Sequence, residues 1–308
     1  MEEPKKHNNP IPLKKRFSPS PKEQQKPTTN TASYDFAFVV RQINVLKDAF
    51  EALSDTKFNP KQDVVIQVDQ PGCEFSVWNI NVKSRHESFG YLSLKACHMD
   101  SFQCKNPLQK SFSLKGIPEL FRSADKFKAR CLVLYVREGS NQISFKWGHN
   151  SLDFGYGFPV NVELKDVDPR MARFPRCLSY VYEGVLHSSI IQKMSVKLQN
   201  QSEPIPDTVV MSFQRATMEI MADEMTASSM EDADEEELQV ATEWKHWESL
   251  ESASRSATKA SVYLVTEPGR EVMVRFHLDQ LGDLIYLSQA DFQLLSPLPL
   301  LGRFRTLN

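Results

Sequence analysis

What most limits the fold of this chain is an order of elements that occurs twice. From Tyr34 onward, apolar runs of strand length alternate with a few helical stretches. The first pass opens with a strand at Phe36 to Val40. Ile43 to Leu53 follows, with Val45, Leu46, Ala49, Phe50 and Leu53 at helical spacing. Period-2 or continuous apolar runs come next at Val64 to Val68, Phe75 to Val82 and Phe89 to Leu94. Ser111 to Leu114 leads into a short helix at Ile117 to Ala124, and strands at Cys131 to Val136, Gln142 to Trp147 and Val160 to Leu164 close the pass. The second pass predicts a strand at Leu178 to Tyr182 and a helix at Val185 to Val196. Strands follow at Thr208 to Phe213, Met218 to Met221 and Leu238 to Thr242, then a helix over roughly Trp247 to Ala257. Three strands finish it, at Ser261 to Thr266, Val272 to Leu278 and Leu284 to Leu287. Two β-rich halves of about 130 residues, near the usual domain size, predict an α+β chain built by duplication, with two short helices in each half.

The segments outside the repeat have a different chemistry. Residues 1–33 are rich in Pro, Lys, Asn, Gln, Ser and Thr, with seven basic residues against three acidic. Such a segment buries too little apolar surface to offset its ordering entropy, so a disordered basic tail is expected. Pro12 to Arg16 forms a basic cluster beside Ser18-Pro19 and Ser20-Pro21, a pattern that fits a nuclear address or an electrostatic contact with nucleic acid. The expected boundaries are a tail at 1–33, a first domain at 34–159, a connector at 160–176, a second domain at 177–292 and a C-terminal tail at 293–308. Pro297 and Pro299 bar a central strand across that stretch.

Composition excludes several function classes. The chain has 37 Lys and Arg against 39 Asp and Glu, so it is not a bulk basic coat for nucleic acid. No apolar run approaches the roughly 18 residues of a membrane span, and no secretory h-region opens the chain. Five scattered cysteines argue against a disulfide framework and for a reducing compartment. Catalytic constellations are missing too: Gly155-Tyr156-Gly157 lacks a third glycine and a following helix, and Ser123-x-x-Lys126 has no partner motif. Cys97, His98 and Cys104 provide three donors where a closed zinc site needs four at tighter spacing. No enzyme, no cofactor and no metal site is expected.

Four stretches carry a family resemblance. Ala260 to Leu287 reads ASVYLVTEPGREVMVRFHLDQLGDLIYL, with an alternating strand, a turn at Leu281-Gly282-Asp283 and a final strand bearing an aromatic. Asp234 to Glu237 forms an acidic loop before a strand. Val162 to Pro175, VELKDVDPRMARFP, has the look of an interdomain connector closing on Phe174-Pro175, and Ile43 to Ser54 is similar to a first helix. Together these resemble the sliding clamps of DNA replication, the proliferating cell nuclear antigen family, over roughly Tyr34 to Phe292. The basic tail, the run after Phe292 and a compressed region at Ala222 to Met230 depart from the family.

The resemblance implies a homotrimeric processivity factor that encircles double-stranded DNA without reading its sequence and docks DNA polymerase and other clamp-binding peptides after a clamp loader opens it. It implies work in the nucleus or at a viral replication site. Helices would line the hole with basic residues: Arg41 and Lys47 at the first, Arg122, Lys126 and Lys128 at the second, Lys193 and Lys197 on the third, Lys245, Arg255 and Lys259 at the fourth. Trp78, Met171, Phe174, Val272 and Leu287 would line the partner pocket. Two alternatives share the fold, a checkpoint-clamp subunit and a monomeric or dimeric viral factor. A third is a β-rich interaction protein without a DNA role.

Overall fold

The computed structural model describes residues 33–53, 63–80, 87–114, 117–148, 159–168, 178–199, 208–213, 218–222, 225–228, 238–267, 271–278, 280–289, 291–294 and 305–307. The basic tail therefore lies outside the described residues, as do Met171, Phe174 and the acidic run before Leu238.

The first half runs β1 (Tyr34–Val40), α1 (Ile43–Leu53), β2 (Asp63–Asp69), β3 (Gly72–Ile80), β4 (Glu87–Lys95), β5 (Ser101–Cys104), β6 (Leu108–Ser113), α2 (Ile117–Lys126), β7 (Cys131–Arg137), β8 (Gln142–Gly148) and β9 (Val160–Glu163). The second runs β10 (Leu178–His187), α3 (Ser188–Gln199), β11 (Thr208–Phe213), β12 (Met218–Ala222), β13 (Met225–Ser228), β14 (Leu238–Glu243), α4 (Trp244–Arg255), β15 (Lys259–Glu267), β16 (Glu271–Leu278) and β17 (Gly282–Gln289). Two short strands follow, β18 (Asp291–Leu294) and β19 (Arg305–Leu307). In the stretch expected as a C-terminal tail, β19 adds a strand to β10, while β18, which straddles the expected boundary at 292/293, pairs with β14.

Among the described residues, all strand pairings are antiparallel and build three sheets. One, of order β5-β1-β7-β8-β9, comes wholly from the first half, and one, β13-β12-β11-β14-β18, wholly from the second. Between them lies a nine-stranded sheet, β19-β10-β15-β16-β17-β4-β3-β2-β6, to which both halves contribute. The duplication is visible in this order. β10-β15-β16-β17 corresponds in chain order to β1-β7-β8-β9, and β14-β11-β12-β13 to β6-β2-β3-β4. The halves meet where β17 pairs with β4, from Gly282 opposite Leu94 to Ser288 opposite Ser88.

The helices form a row, α2-α1-α4-α3, in which each packs on its neighbour, and α1 and α4 rest on β4 and β17. One continuous core fills the space between this row and the sheets. Leu46, Phe50 and Leu53 of α1 enter it from above, and Ile66, Phe75, Leu92, Val274, Phe276 and Leu284 from the sheet. Period 2 puts every second strand residue on that side. At β1 both faces are covered. Phe36, Phe38 and Val40 join the main core, whereas Ala37 and Val39 pack on the far side with Val133 and Tyr135. A strand buried on both faces reads as the continuous apolar run that the sequence shows.

Two helix starts differ from expectation. α3 begins at Ser188 because Val185, Leu186 and His187 stay in strand pairing with Ser261, Ala260 and Lys259. The Ser188 N–H then donates to the Thr258 carbonyl at 3.1 Å, and its hydroxyl to the Ala257 carbonyl. α4 starts three residues early, at Trp244, directly after β14.

Candidate nucleic-acid interface and outer sheet face

In α2 the apolar stripe Ile117, Leu120, Phe121 and Ala124 is buried, and Glu119, Arg122 and Lys126 stand on the opposite, exposed side. The 3.6-residue period dictates this split. It gives the helix row a polar face turned away from the sheets, the surface on which the expected basic residues would have to act.

The structure separates those residues into two kinds. Four are ion-paired. Lys47 Nζ lies 2.9 Å from Asp125 and so ties α1 to α2. Arg255 reaches Glu251 at 3.0 Å on its own helix and Glu51 of α1 at 3.8 Å. Arg122 pairs with Glu119 at 2.6 Å, and Arg41, just before α1, with Asp100 at 3.0 Å. The hydrogen bond that the Lys47 ammonium donates to Asp125 holds its pKa above the usual value against the opposing effect of burial. Asp48 takes a hydrogen bond from the Ser256 hydroxyl across the α1–α4 contact, and burial still raises its pKa. Four others, Lys126, Lys128, Lys193 and Lys259, are exposed and make no ion pair with a described residue. Arg130, in the turn after α2, is exposed in the same way. Lys197 and Lys245 lie in α3 and α4, with side chains outside the described residues.

The far face of the nine-stranded sheet carries a second apolar group. Tyr263, Met273 and Leu287 are register partners in turn across β15, β16 and β17, and Phe89 and Trp78 extend the row over β4 and β3. Tyr263, Val265, Met273 and Leu287 are buried together, with Phe89 and Ile285 against them. Of the residues expected in a partner pocket, Trp78 and Leu287 share this row. Val272 does not: it is buried on the helix side in the main core, and Met273 stands opposite Leu287 instead. One step along a strand changes the face, so a carry-over displaced by one residue misses the row. Tyr263, Phe89 and Met273 were legible in principle from the same alternation, once one member of the row had been assigned to a face.

Beside this row, Asp283 accepts hydrogen bonds from Arg275 at 2.8 Å and pairs with His277 at 2.7 Å. Burial alone would raise the Asp283 pKa, but Arg275 and His277 outweigh it and hold the carboxyl below its usual range. A depressed folded-state pKa stabilises the fold above the unfolded value and loses that contribution as pH falls through the folded one. The Asp283→Asn variant should therefore show a flatter dependence of melting temperature on pH below about 4 than the parent. Parallel curves in that range would count against the pairing.

Cys97, His98 and Cys104 do not assemble a metal cluster, and among the described residues no three His, Cys, Asp or Glu side chains do. Cys73 is fully buried, which pushes its thiol pKa well up and leaves it inert. No described helix is long and apolar enough to cross a membrane.

No protein-family model and no curated protein matches the sequence. Among solved structures, the chain is similar to the proliferating cellular nuclear antigen from Entamoeba histolytica. The TM-score is 0.63 at 13% identity, over 84% of this chain and 100% of that one. The likeness is one of fold: among the described residues, two β-rich halves sharing a sheet, with four helices in one row, give this chain the fold of the proliferating cell nuclear antigen sliding clamps.

Proposed function

We propose that this chain is a clamp subunit that closes with further copies of itself into a ring around duplex DNA and keeps a DNA polymerase on its template. The observation that carries this reading is the pair of free edges left by the duplication. β17 of the second half pairs with β4 of the first. Their counterparts by chain order, β9 and β13, are each the last strand of an outer sheet. They lie toward opposite ends of the helix row, since Phe121 of α2 meets Trp147 of β8, the neighbour of β9, and α3 packs on β13. An antiparallel contact from β9 of one copy to β13 of the next repeats the internal seam between molecules. Such a head-to-tail contact makes a closed ring when its rotation closes. Three copies is the number that the clamp resemblance implies.

Exposed apolar side chains support the same reading. Phe127 is 64% exposed and Val160, on β9, 40%. Both belong to the α2 end, where the Arg130 N–H donates to Gly148 at the end of β8. Replacing Phe127 by Asp should leave the melting temperature nearly unchanged, because the ring is solvated in the single chain. It should also shift a trimer toward monomer in analytical ultracentrifugation. A variant that stays trimeric removes Phe127 from the contact.

A clamp of this kind needs no catalytic group. It holds DNA by topology, and its contacts are to phosphate, which carries no sequence information. The direct test is retention on circular against linear DNA after ring opening. Slower loss from the circle supports the ring, whereas a monomer with no DNA retention favours a β-rich interaction protein. Partner peptides, by the same reading, insert apolar anchors near the connector, with Met171, Phe174 and Leu287 as walls. Calorimetry with a polymerase-derived peptide should then show Phe174→Ala losing about 2 kcal/mol or more of binding. Unchanged affinity rejects that docking site.

A further inference from the structure

We propose that the two ends of the helix row, and not its middle, carry the DNA. The turn Lys126 to Arg130 forms one contact zone and Lys193 with Lys197 the other. Between them, Lys47 of α1 and Arg255 of α4 are engaged in ion pairs that hold the row together. The inference rests on the clamp reading and assigns its DNA contacts to particular residues.

Charge along the row is uneven. From Ile117 to Arg130 there are four basic residues, Arg122, Lys126, Lys128 and Arg130, against Glu119 and Asp125. Both acids are already paired, with Arg122 and Lys47. α3 has Lys193 and Lys197 and no acid. The middle helices are different: α1 has Lys47 against Asp48 and Glu51, and α4 has Lys245 and Arg255 against Glu248 and Glu251. A phosphate that recruited Lys47 or Arg255 would also meet these carboxylates, and it would strip a partner from Asp125 or Glu51. The end residues demand no such exchange.

Geometry supports the assignment at both ends. α2 closes with the Phe127 N–H on the Ser123 carbonyl at 3.0 Å, Lys128 on Asp125 at 3.1 Å and Ala129 on Ala124 at 3.0 Å. That closure needs a left-handed residue, ordinarily glycine. Here it is Lys128, with φ of 51°. The chain thus keeps a lysine where the backbone favours glycine, which points to a use for its side chain. Lys193 lies two residues past the buried Ile191, about 200° around the helix, and so faces away from the core. Lys197 follows one turn later on α3.

The two zones become one in the ring. If β9 of one copy meets β13 of the next, the α2 end of the first adjoins the α3 end of the second. Each subunit boundary then gathers up to five cations from two chains, and the site is incomplete in a single chain.

The experiment measures association with a mixed-sequence duplex against salt for four proteins: the parent, Lys126→Glu with Lys128→Glu and Arg130→Glu, Lys193→Glu with Lys197→Glu, and Lys47→Gln with Arg255→Gln. Each phosphate contact contributes about 0.9 to the slope of log affinity on log salt. The triple variant should lower the slope by up to about 2.7 and the Lys193/Lys197 pair by up to about 1.8, both with unchanged melting. The Lys47/Arg255 pair should melt earlier and keep the parent slope. Equal loss of slope in the Lys47/Arg255 pair, or parent-like slopes in both end variants, overturns the assignment. A parent with no salt-dependent association overturns the clamp reading itself, which is a distinct result.

Discussion

Replacing Phe50 by Ala should cost about 3–5 kcal/mol of stability, the range for a buried phenyl whose site cannot collapse. Phe50 is 1% exposed. Its ring meets Phe75 of β3 edge-on at 4.9 Å and Phe121 of α2 at 6.0 Å. It therefore joins three elements: its own helix, the nine-stranded sheet and the neighbouring helix. Phe75 in turn meets Phe112, and Phe112 meets Phe145 of β8, so the aromatic chain reaches the first outer sheet. Rigid strands on one side and a helix tied by Lys47 and Asp125 on the other leave little room to fill the void. Chemical denaturation should show a lower midpoint with the slope unchanged. A loss under about 1 kcal/mol would mean that the core collapses at this point and that α1 is not held as described.

The second large effect is expected at Gly282, on the seam between the halves. A Cβ there would lie 1.9 Å from the Ser93 carbonyl oxygen and 3.0 Å from its carbon. Both are backbone atoms of β4, so no side chain can turn aside. Gly72 of β3 meets the other edge of β4 in the same way, with Leu94 O at 2.1 Å from its would-be Cβ. Overpacking of a fixed backbone costs about 1–3 kcal/mol and occasionally more. Gly282→Ala should thus destabilise the whole chain and open the seam at its Gly282–Leu94 end first. Hydrogen exchange checks the location: the Lys95 N–H, which donates to the Leu281 carbonyl at 3.3 Å, should lose protection before amides near Leu287. Uniform loss of protection would mean that the seam has no weak end. Because this pairing is the internal template for the proposed contact between copies, a chain with an opened seam should also form rings poorly.

The sequence alone determined the local elements and the duplication. Ile43–Leu53 is a helix over the span its apolar spacing implies, and β16 and β17 follow the alternation of Val272 to Leu278 and Leu284 to Leu287. These signals are strong because burial on one side repeats at 3.6 or 2 residues, and that period is written in consecutive positions. Where pairing supplied the stability instead, the local signal failed. β5, SFQC, alternates over only four residues, with Phe102 and Cys104 half-buried, too short a run to mark a strand, and it forms because β1 offers it an edge from Phe36 to Val39. Val185 to His187, expected as the start of a helix, remains in strand because β15 lies beside it.

Which face and which partner each residue has were decided only by the tertiary structure. Alternation shows that Val272 and Met273 point to opposite sides, but only the register with β17 and the helix row above it puts Val272 in the core and Met273 beside Leu287. Likewise, a count of basic residues on four helices does not separate Lys47 from Lys193. Lys47 meets Asp125 across 78 positions of chain, and Arg255 meets Glu51 from the other half. Coulomb energy depends on distance in space, and distance between residues so far apart along the chain exists only once the helices have packed into their row.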